Sequence, residues 1–223
     1  MVAPIGEYEF EPVHGLPELL PAGETMLWQG SPLWTGLAVR AYHLRMVIAY
    51  FILLLLWRTV VAWQAGEGWA EAGPGLALWG LFATIALGIL ALFAYLAAKT
   101  AVYTITSKRV VMRIGIVLTV SFNLPFTSIA AAGLRTYRDG SGDITLTLAD
   151  GNKIAWPHLW PHVRPWMIKQ PEPMLRSIPD AAAVAEVLRR AVADAKGQTT
   201  SGMKPNESLV STAMERNAPS AAH

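Results

Sequence analysis

The stretch GPGLALWGLFATIALGILALFAYLAA, residues 73–98, decides the fold, because it contains no charged side chain over 26 consecutive positions. The hydrocarbon core of a bilayer is about 30 Å thick, and an α-helix needs roughly 20 apolar residues to cross it. The stretch exceeds that length. It therefore predicts a membrane-spanning helix, and the rest of the chain has to be interpreted around it.

A second apolar run comes before this stretch. The residues MVIAYFILLLLW occupy positions 46–57, and the apolar character resumes after the charge of Arg58. Together these residues predict a first span over 46–64, which a short Gly- and Ala-rich connection joins to a second span over 75–98. Backbone groups in lipid must be hydrogen-bonded within the protein, and two helices achieve this. The chain is therefore predicted to form an antiparallel transmembrane hairpin over residues 46–98.

Charges on both sides of the hairpin predict its orientation. The connection contains Glu67 and Glu71 but no Lys or Arg. Basic residues flank the outer ends of the two spans, at Arg40, Arg45, Lys99, Lys108 and Arg109. Because positive residues stay on the cytoplasmic side, we expect a multi-pass protein with both termini in the cytoplasm. No cleaved signal peptide is expected, since the first apolar run starts about 45 residues into the chain.

The composition of the chain limits its domains and its classes of function. Of 223 residues, 53% are apolar and 15% are charged, and the net charge is +2. The hairpin leaves about 45 residues before it and about 125 after it, enough for one small soluble domain and a tail. So weak a charge, without a basic run, argues against nucleic-acid binding. The absence of cysteine excludes disulfides, thiolate metal sites and a cysteine nucleophile.

Residues 101–156 predict an antiparallel β domain. β-Branched, alternating segments are separated by turn residues, as in short strands. The predicted strands are residues 101–106, 109–113, 116–122, 129–137, 143–149 and 153–156. The predicted tight turns are residues 107–108, 139–142 and 150–152. Short strands joined in this way indicate an antiparallel sheet or a small barrel, which the second span would hold against the inner leaflet.

An aromatic arm follows the predicted strands. Residues 156–166, WPHLWPHVRPW, combine prolines with aromatic side chains and predict an ordered loop without a regular helix or central strand. A helix is predicted to start at Pro179 or Asp180 and to end at Gly197. The polar tail after it is predicted to be disordered. The predicted divisions are an N-terminal segment (1–45), the hairpin (46–98), the β domain with its helix (99–196) and the tail (197–223).

One part of the β region carries a family resemblance. The segment YTITSKRVVMRIG, residues 103–115, is followed by a Leu-Pro-Phe bend at 124–126 and by Ile129. This arrangement resembles the core of bacterial PH-like membrane domains. In that family one strand ends in a threonine, the next strand begins with an arginine, a glycine then turns the chain and a proline-containing bend follows. Residues 20–32, LPAGETMLWQGSP, are similar to the segment that precedes the membrane helices of such proteins.

A more specific resemblance extends from about residue 8 to about residue 195. It is carried by FEPVHGLP at 10–17, LWPHVRPW at 159–166 and PEPMLRSIPD at 171–180. With these segments, the chain closely resembles the photosynthetic complex assembly proteins of purple bacteria.

The resemblance implies an α+β membrane protein, in which a two-helix transmembrane hairpin carries a PH-like antiparallel β domain with a C-terminal helix. It implies a non-catalytic, chaperone-like assembly factor for the photosynthetic reaction centre and its core light-harvesting antenna. The implied location is the bacterial inner, intracytoplasmic photosynthetic membrane. Reaction-centre and antenna subunits are the implied partners, and a second copy of the chain is a further candidate. No cofactor and no catalytic residue is carried over.

Five residues are the candidate partner contacts. They are Arg58, Trp160, His162, Arg164 and Trp166. Arg58 either snorkels to the outer interface or bonds a client helix within the bilayer. The aromatic arm either packs over the sheet or meets a partner or the headgroup zone, because Trp is enriched both at binding hot spots and at membrane interfaces. Small residues at Gly80, Thr84 and Gly88 allow close approach either of the first span or of another helix.

Two other functions remain open. A PH-like lipid-binding or membrane-stress scaffold would read headgroups through a basic pocket made by Lys108, Arg109 and Arg113. A pigment carrier would use His43 as a magnesium ligand, although an interfacial histidine without a ligand is the preferred interpretation of that position.

Enzymatic and metal-dependent functions have no matching motif. Gly140 and Gly142 belong to a turn and not to a phosphate-binding loop, and the aspartates of this region fall at turns, where they bond local backbone. His158 and His162 are four residues apart, but prolines interrupt the segment and no third ligand is evident for zinc. We expect neither catalytic residues nor a metal site.

Overall fold

The computed structural model describes residues 15–149, except residue 17, and residues 154–202. The predicted turn at 150–152, residues 10–14 of the resemblance and the predicted tail beyond residue 202 lie outside the described residues. In chain order the elements are β1 (Met26–Gly30), α1 (Trp34–Arg40), α2 (Leu44–Gln64), α3 (Trp69–Thr100), β2 (Val102–Thr106), β3 (Arg109–Ile114), β4 (Val120–Pro125), a 3-10 turn (Phe126–Ser128), β5 (Ile129–Thr136), β6 (Gly142–Leu148), α4 (Trp156–Leu159), β7 (Met174–Ile178) and α5 (Ala181–Gly202).

Helices α2 and α3 form the predicted hairpin. They are 21 and 32 residues long, and their most apolar windows have a mean hydropathy of 2.0 and 2.3. A core helix of a soluble protein would be mostly buried, whereas only 6% of either window is buried here. Length, composition and exposure therefore suit both helices for a bilayer. Relative to the predicted spans, α2 starts two residues earlier and α3 starts six residues earlier and ends two residues later.

The first sheet is antiparallel and has the strand order β1-β2-β3-β4. β1 pairs with β2, with Gly30 opposite Tyr103, although the whole hairpin lies between the two strands in the sequence. The N-terminal segment, predicted as a separate unit over residues 1–45, thus contributes an edge strand to the β domain. The sequence analysis did not predict this strand.

The second sheet has the strand order β5-β6-β7, and the predicted last strand is wrong. Residues 153–156 were expected to pair back along β6. Instead, β6 lies between β5 and β7, and β7 starts 18 residues after Trp156. Trp156 instead opens the four-residue helix α4, with Pro157 in its first turn. Proline suits that position, since its fixed φ matches a helix and its missing N–H would have no partner there.

The core of the β domain lies between the two sheets and α5. Its members are buried apolar side chains from every layer, including Tyr103, Ile105, Met112, Leu146, Leu175, Val184 and Leu188. Apolar residues of α5 recur at helical spacing and face the sheets. The predicted end of this helix at Gly197 is wrong, since α5 continues to Gly202. A single glycine costs a helix only about 1 kcal/mol and does not force it to stop.

Helix α1 joins the hairpin to the β domain. Leu37 and Ala38 are buried against Ala94, Ala97 and Ala98 of α3, and α1 also contacts β7. The alanines leave room for the two helices to approach closely. Because α1 touches both units, the β domain is packed directly on the end of the hairpin.

Candidate functional site

A cleft of about 790 Å³ lies where the hairpin meets the β domain. The α1–α2 connection, the second half of α3, the β3–β4 turn and the aromatic arm contribute its mainly apolar walls. Its lining includes Tyr42, His43, Leu90, Phe93, Ile116, Trp156, Trp160, Trp166, Ile168 and Arg176. The structure thus brings two of the predicted contact residues, Trp160 and Trp166, to one site.

Trp160 and Trp156 shape the wall of the cleft in different ways. Trp160 is half exposed and packs edge-on against Tyr42, with 5.2 Å between the ring centroids. The indole Nε1 of Trp156 is buried and finds no hydrogen-bond partner among the described residues. A buried donor without a partner is rare in a folded protein. Trp160 thus presents aromatic surface to the cleft, whereas the indole nitrogen of Trp156 is covered by the domain.

The aromatic arm is fixed at its base and free at its tip. A bridge joins Val163 to Pro173, and the Arg164 N–H donates to the carbonyl oxygen of Glu172 at 3.0 Å. Residues 165–171, called the tip loop below, project beyond this closure. Trp166 is 92% exposed there and has a positive φ of 67°. The arm is thus a loop, as predicted, with one helical turn at its start.

Arg164 serves the base of the arm. Its Nη1 lies 2.8 Å from a carboxylate oxygen of Glu172, and the other oxygen of Glu172 accepts a hydrogen bond from Thr147 at 3.0 Å. About half of the Arg164 side chain stays exposed. Contact with a partner thus stays a prediction for Arg164, and its ion pair also gives it a structural role.

His162 is a core residue. It is 1% exposed, and its Nδ1 lies 2.6 Å from the hydroxyl of Tyr103. That hydroxyl also accepts a hydrogen bond from the Arg176 backbone N–H at 3.3 Å. Burial, together with the charge of Arg176, lowers the pKa of His162 to about 3. Surrounding residues cover the ring in this structure, and contact of His162 with a partner stays a prediction.

Arg40 holds α1 on the second sheet. Its guanidinium donates to Ser141 Oγ at 2.9 Å, to Ser177 Oγ at 3.3 Å and to Asp139 at 3.1 Å. The guanidinium carbon also lies 3.5 Å from the ring centroid of Tyr137. The sequence analysis used Arg40 only as a topology signal. Its partners lie about 100 or more positions away in the chain, so no local pattern could have revealed them.

The three basic residues proposed for a headgroup pocket do not form an open cluster. Lys108 is exposed, but Arg113 is buried and Arg109 donates to Glu24 at 2.7 Å. Burial raises the pKa of Glu24, but the hydrogen bonds from Arg109 and Thr106 outweigh it and hold that pKa below its usual value. Since one charge of the trio is paired and another is buried, only Lys108 is exposed to attract an anionic headgroup.

Arg58 and His43 lie at opposite ends of the hairpin. Arg58 is half buried beside the first turns of α3, where a Cβ on Gly75 would come within 3.9 Å of its guanidinium. His43 precedes α2 in a left-handed conformation, with φ of 52°, and lines the cleft. Arg58 is therefore remote from the cleft, and His43 belongs to it. Among the described residues, no group of three His, Asp or Glu side chains could hold a metal ion.

The architecture defines the class of protein: a β domain of two antiparallel sheets, closed by a C-terminal helix and interrupted by an apolar helical hairpin. The family model of the bacterial PH domain, bPH_2, matches residues 35–192, and the chain belongs to this family. The resemblance to bacterial PH domains is thereby confirmed.

Two individual proteins are also similar to this chain. A protein of Rhodobacter capsulatus, described as an uncharacterized 23.7 kDa protein in the puhA 5' region, is 40% identical over 187 residues, which cover 83% of this chain and 87% of the relative. A solved structure of a DUF1696-family protein with a pleckstrin-homology domain, from Shewanella loihica, covers 41% of this chain and 71% of its own, with 13% identity and a TM-score of 0.28. That score is too low to support an argument about the fold.

Proposed function

We propose that this chain is a non-catalytic assembly factor for the photosynthetic reaction centre and its core light-harvesting antenna, of the PuhB type. The observation that carries the proposal is the relative in the puhA 5' region, which is 40% identical over most of both chains. The region is named for a reaction-centre gene, and bacterial genes for the subunits and the assembly of one complex are often neighbours. The clients would be reaction-centre and antenna subunits, held transiently while the complex is built.

The proposal places the hairpin across the inner, intracytoplasmic photosynthetic membrane with both chain ends in the cytoplasm. Supporting this, the loop end carries the exposed Trp63 and Trp69, which suit an outer interface, and Arg40 and Lys99 flank the other end. Because the chain has no cysteine, single cysteines report topology cleanly. A membrane-impermeant maleimide should label an Ala65→Cys variant from outside intact spheroplasts and an Ala193→Cys variant only after lysis. The reverse result would reject this orientation.

An open face of small residues on α3 supports helix contacts with a client. Nothing in the described chain lies within 4 Å of a Cβ placed on Gly80 or Gly88, and Thr84 between them is exposed. The face is thus not occupied by α2, which was one of the two interpretations of this pattern. Small residues let helices approach closely in lipid, so this face would accept a client helix.

Deleting the gene in a purple bacterium tests the function. We expect less core complex in the near-infrared absorption of isolated membranes, restored by the natural gene. A Thr84→Leu/Gly88→Leu variant should accumulate normally but restore less core complex, since bulky side chains would hold a client helix away. Phe82→Leu, on another exposed side of α3, is the matched control and should restore it fully. Unchanged core complex in the deletion strain would reject the proposal.

The pigment-carrier alternative keeps one structural argument. His43 lines a cleft with mainly apolar walls, as a ligand to a chlorophyll-like molecule would. Protein purified in mild detergent from photosynthetic membranes should then carry bacteriochlorophyll absorption that a His43→Ala variant lacks. Absence of that absorption from the natural protein would reject this alternative.

A further inference from the structure

We propose that two apolar loops of the β domain enter the cytoplasmic leaflet beside the hairpin, so that the domain is seated in the membrane surface. The loops are the β3–β4 turn, residues 115–119, and the tip loop. This inference rests on the membrane placement proposed above. The occupant of both surfaces is lipid, at the boundary between acyl chains and headgroups.

The β3–β4 turn presents apolar side chains to the outside of the domain. Val117 is 86% exposed and Leu118 is 82% exposed. Gly115 makes this turn possible, because its φ is 126° and a Cβ there would lie 2.0 Å from the Leu118 carbonyl oxygen. A tight turn that needs glycine in order to display two aliphatic residues in water has no evident use in a soluble domain.

The tip loop has the composition of an interfacial segment. The exposed Trp166 is followed by Ile168, which is 69% exposed, and by the exposed Lys169. Tryptophan is enriched at the level of the headgroups, and a lysine can keep its stem in apolar surroundings while its charge reaches the phosphates. Because the base of the arm is hydrogen-bonded closed, this loop is held in place at little further entropic cost.

The position of both loops along the hairpin gives their depth. Ile116, Trp166 and Ile168 line the cleft together with Leu90 and Phe93 of α3. The uncharged stretch at 73–98 is about 39 Å long as a helix, and the hydrocarbon core occupies about 30 Å of it. The core thus covers about 20 of these residues, so its cytoplasmic boundary lies between roughly residues 92 and 98. Leu90 is then inside the core, and the loops beside it reach the boundary.

The depth is limited by the backbone of the loops. Irregular segments exposed to lipid do not occur in the hydrocarbon region, because their N–H and C=O groups would have no partners. The loops therefore stop at the headgroup–acyl boundary, where interfacial elements bury their apolar side chains by about 5–10 Å. The side chains of Val117, Leu118, Trp166 and Ile168 are those that would be buried there.

Site-directed nitroxide labelling of the full chain in lipid nanodiscs tests the inference. Leu118→Cys and Ile168→Cys report on the two loops, and their exposure makes the labels harmless to folding. Leu53→Cys, on the exposed surface of α2, is the lipid control, and Ala193→Cys, on the exposed surface of α5, is the water control. Collision with oxygen and with a water-soluble nickel chelate is measured at each label.

We expect both loop labels to be at least threefold less accessible to the chelate than Ala193→Cys and more accessible to oxygen. Chelate access at both loops equal to that at Ala193→Cys, with Leu53→Cys protected, would overturn the inference and leave the membrane placement intact. Chelate access at Leu53→Cys as well would overturn the placement and the inference together.

Discussion

At the scale of single residues, the side chains of Tyr103 and His162 form a hydrogen-bonded polar pair in the interior of the β domain. The Tyr103 hydroxyl joins the His162 ring to the Arg176 backbone, and all three groups are buried. A buried polar group that loses its partner costs about 1–3 kcal/mol. The pair thus fixes the aromatic arm to β2 and β7, which determines where the tip loop emerges.

A Tyr103→Phe variant tests the structural weight of this pair. The substitution keeps the ring but leaves His162 Nδ1 and the Arg176 N–H without their partner, and we expect a loss of about 1–3 kcal/mol in the free energy of unfolding. The measurement is chemical denaturation of the detergent-solubilised protein followed by tryptophan fluorescence. Tyr50→Phe, on the exposed surface of α2, is the matched control and should change little. Equal stability of the two variants would contradict the prediction.

The depressed pKa of His162 predicts a dependence of stability on pH. The unfolded imidazole binds a proton near its ordinary pKa of 6.5, whereas the folded one stays neutral down to about 3. Between these values only the unfolded state gains the proton, so stability is fully present above pH 6.5 and falls as the pH falls toward 3. In this window the free energy of unfolding should fall by up to about 1.4 kcal/mol per pH unit more than in a His162→Gln variant. Parallel slopes in urea titrations between pH 6.5 and 4.5 would contradict this.

The sequence shows which residue types belong to the candidate site, but it does not show which of their side chains are exposed and which are buried or paired. For Trp166 the sequence left two interpretations open, packing of the arm over the sheet or contact with a partner or headgroups, and only the structure places this side chain on the outside. His162 stands in the same motif, and only the tertiary pairing with Tyr103, 59 positions away, shows that it is buried. The same applies to Arg109, whose charge is paired by Glu24 from before the hairpin. Long-range partners decide these cases, and a single sequence does not display them.

At the scale of elements, the short helix α1 sets how the hairpin and the β domain are joined. Gly36 lets it approach β7, because a Cβ there would lie 2.6 Å from Ser177 Oγ and 2.7 Å from Ser177 Cβ. Arg40 then closes the contact with one hydrogen bond to Ser177 of β7 and two to the turn between β5 and β6. Neither α1 nor its role was predicted, since seven residues are too few for a reliable periodicity.

A Gly36→Ala variant should separate α1 from β7. The Cβ of Ser177 cannot move without its strand, so we expect a destabilisation of about 1–3 kcal/mol despite the better helix propensity of alanine. Gly80→Ala is the matched control in α3, where the new methyl group meets nothing within 4 Å, and it should be neutral or stabilising. Thermal denaturation in detergent compares the two. A Gly36→Ala variant as stable as the control would show that α1 is loosely packed.

The elements were predictable where the pattern was local. The hairpin and strands β2, β3 and β6 follow from long apolar runs and clear alternation. β1 and β7 were missed for different reasons. β1 precedes the hairpin, so its partner could not be inferred from sequence order. β7 contains Arg176 and Ser177 among its five residues, so it lacks a simple alternation, and yet all five are buried.

At the scale of the whole molecule, the β domain is discontinuous. β1 and α1 come before the hairpin, and all other parts of the domain come after it. Without the first part, β2 would present an unpaired edge, which favours aggregation. We therefore expect that the segment after the hairpin does not fold as an independent unit.

A pair of hairpin-free proteins tests this discontinuity. Residues 101–202 alone should be largely insoluble, whereas residues 15–41 joined to 101–202 by an eight-residue Gly/Ser linker should be soluble and folded. Such a linker spans about 16 Å, and α1 packs beside the last turns of α3, so the two ends to be joined belong to neighbouring helices. Circular dichroism and gel filtration compare the two. Equal solubility and strand content would contradict the pairing of β1 with β2.

The placement of β1 ahead of the hairpin has a consequence for the biogenesis of the protein. This strand is synthesised before both apolar helices, and its partner β2 is synthesised after them. The β domain consequently closes only once the whole hairpin has left the ribosome. With the hairpin placed in the membrane, as proposed, we expect closure of the domain to follow insertion, and until then the unpaired edge of β1 is open to chaperones and proteases.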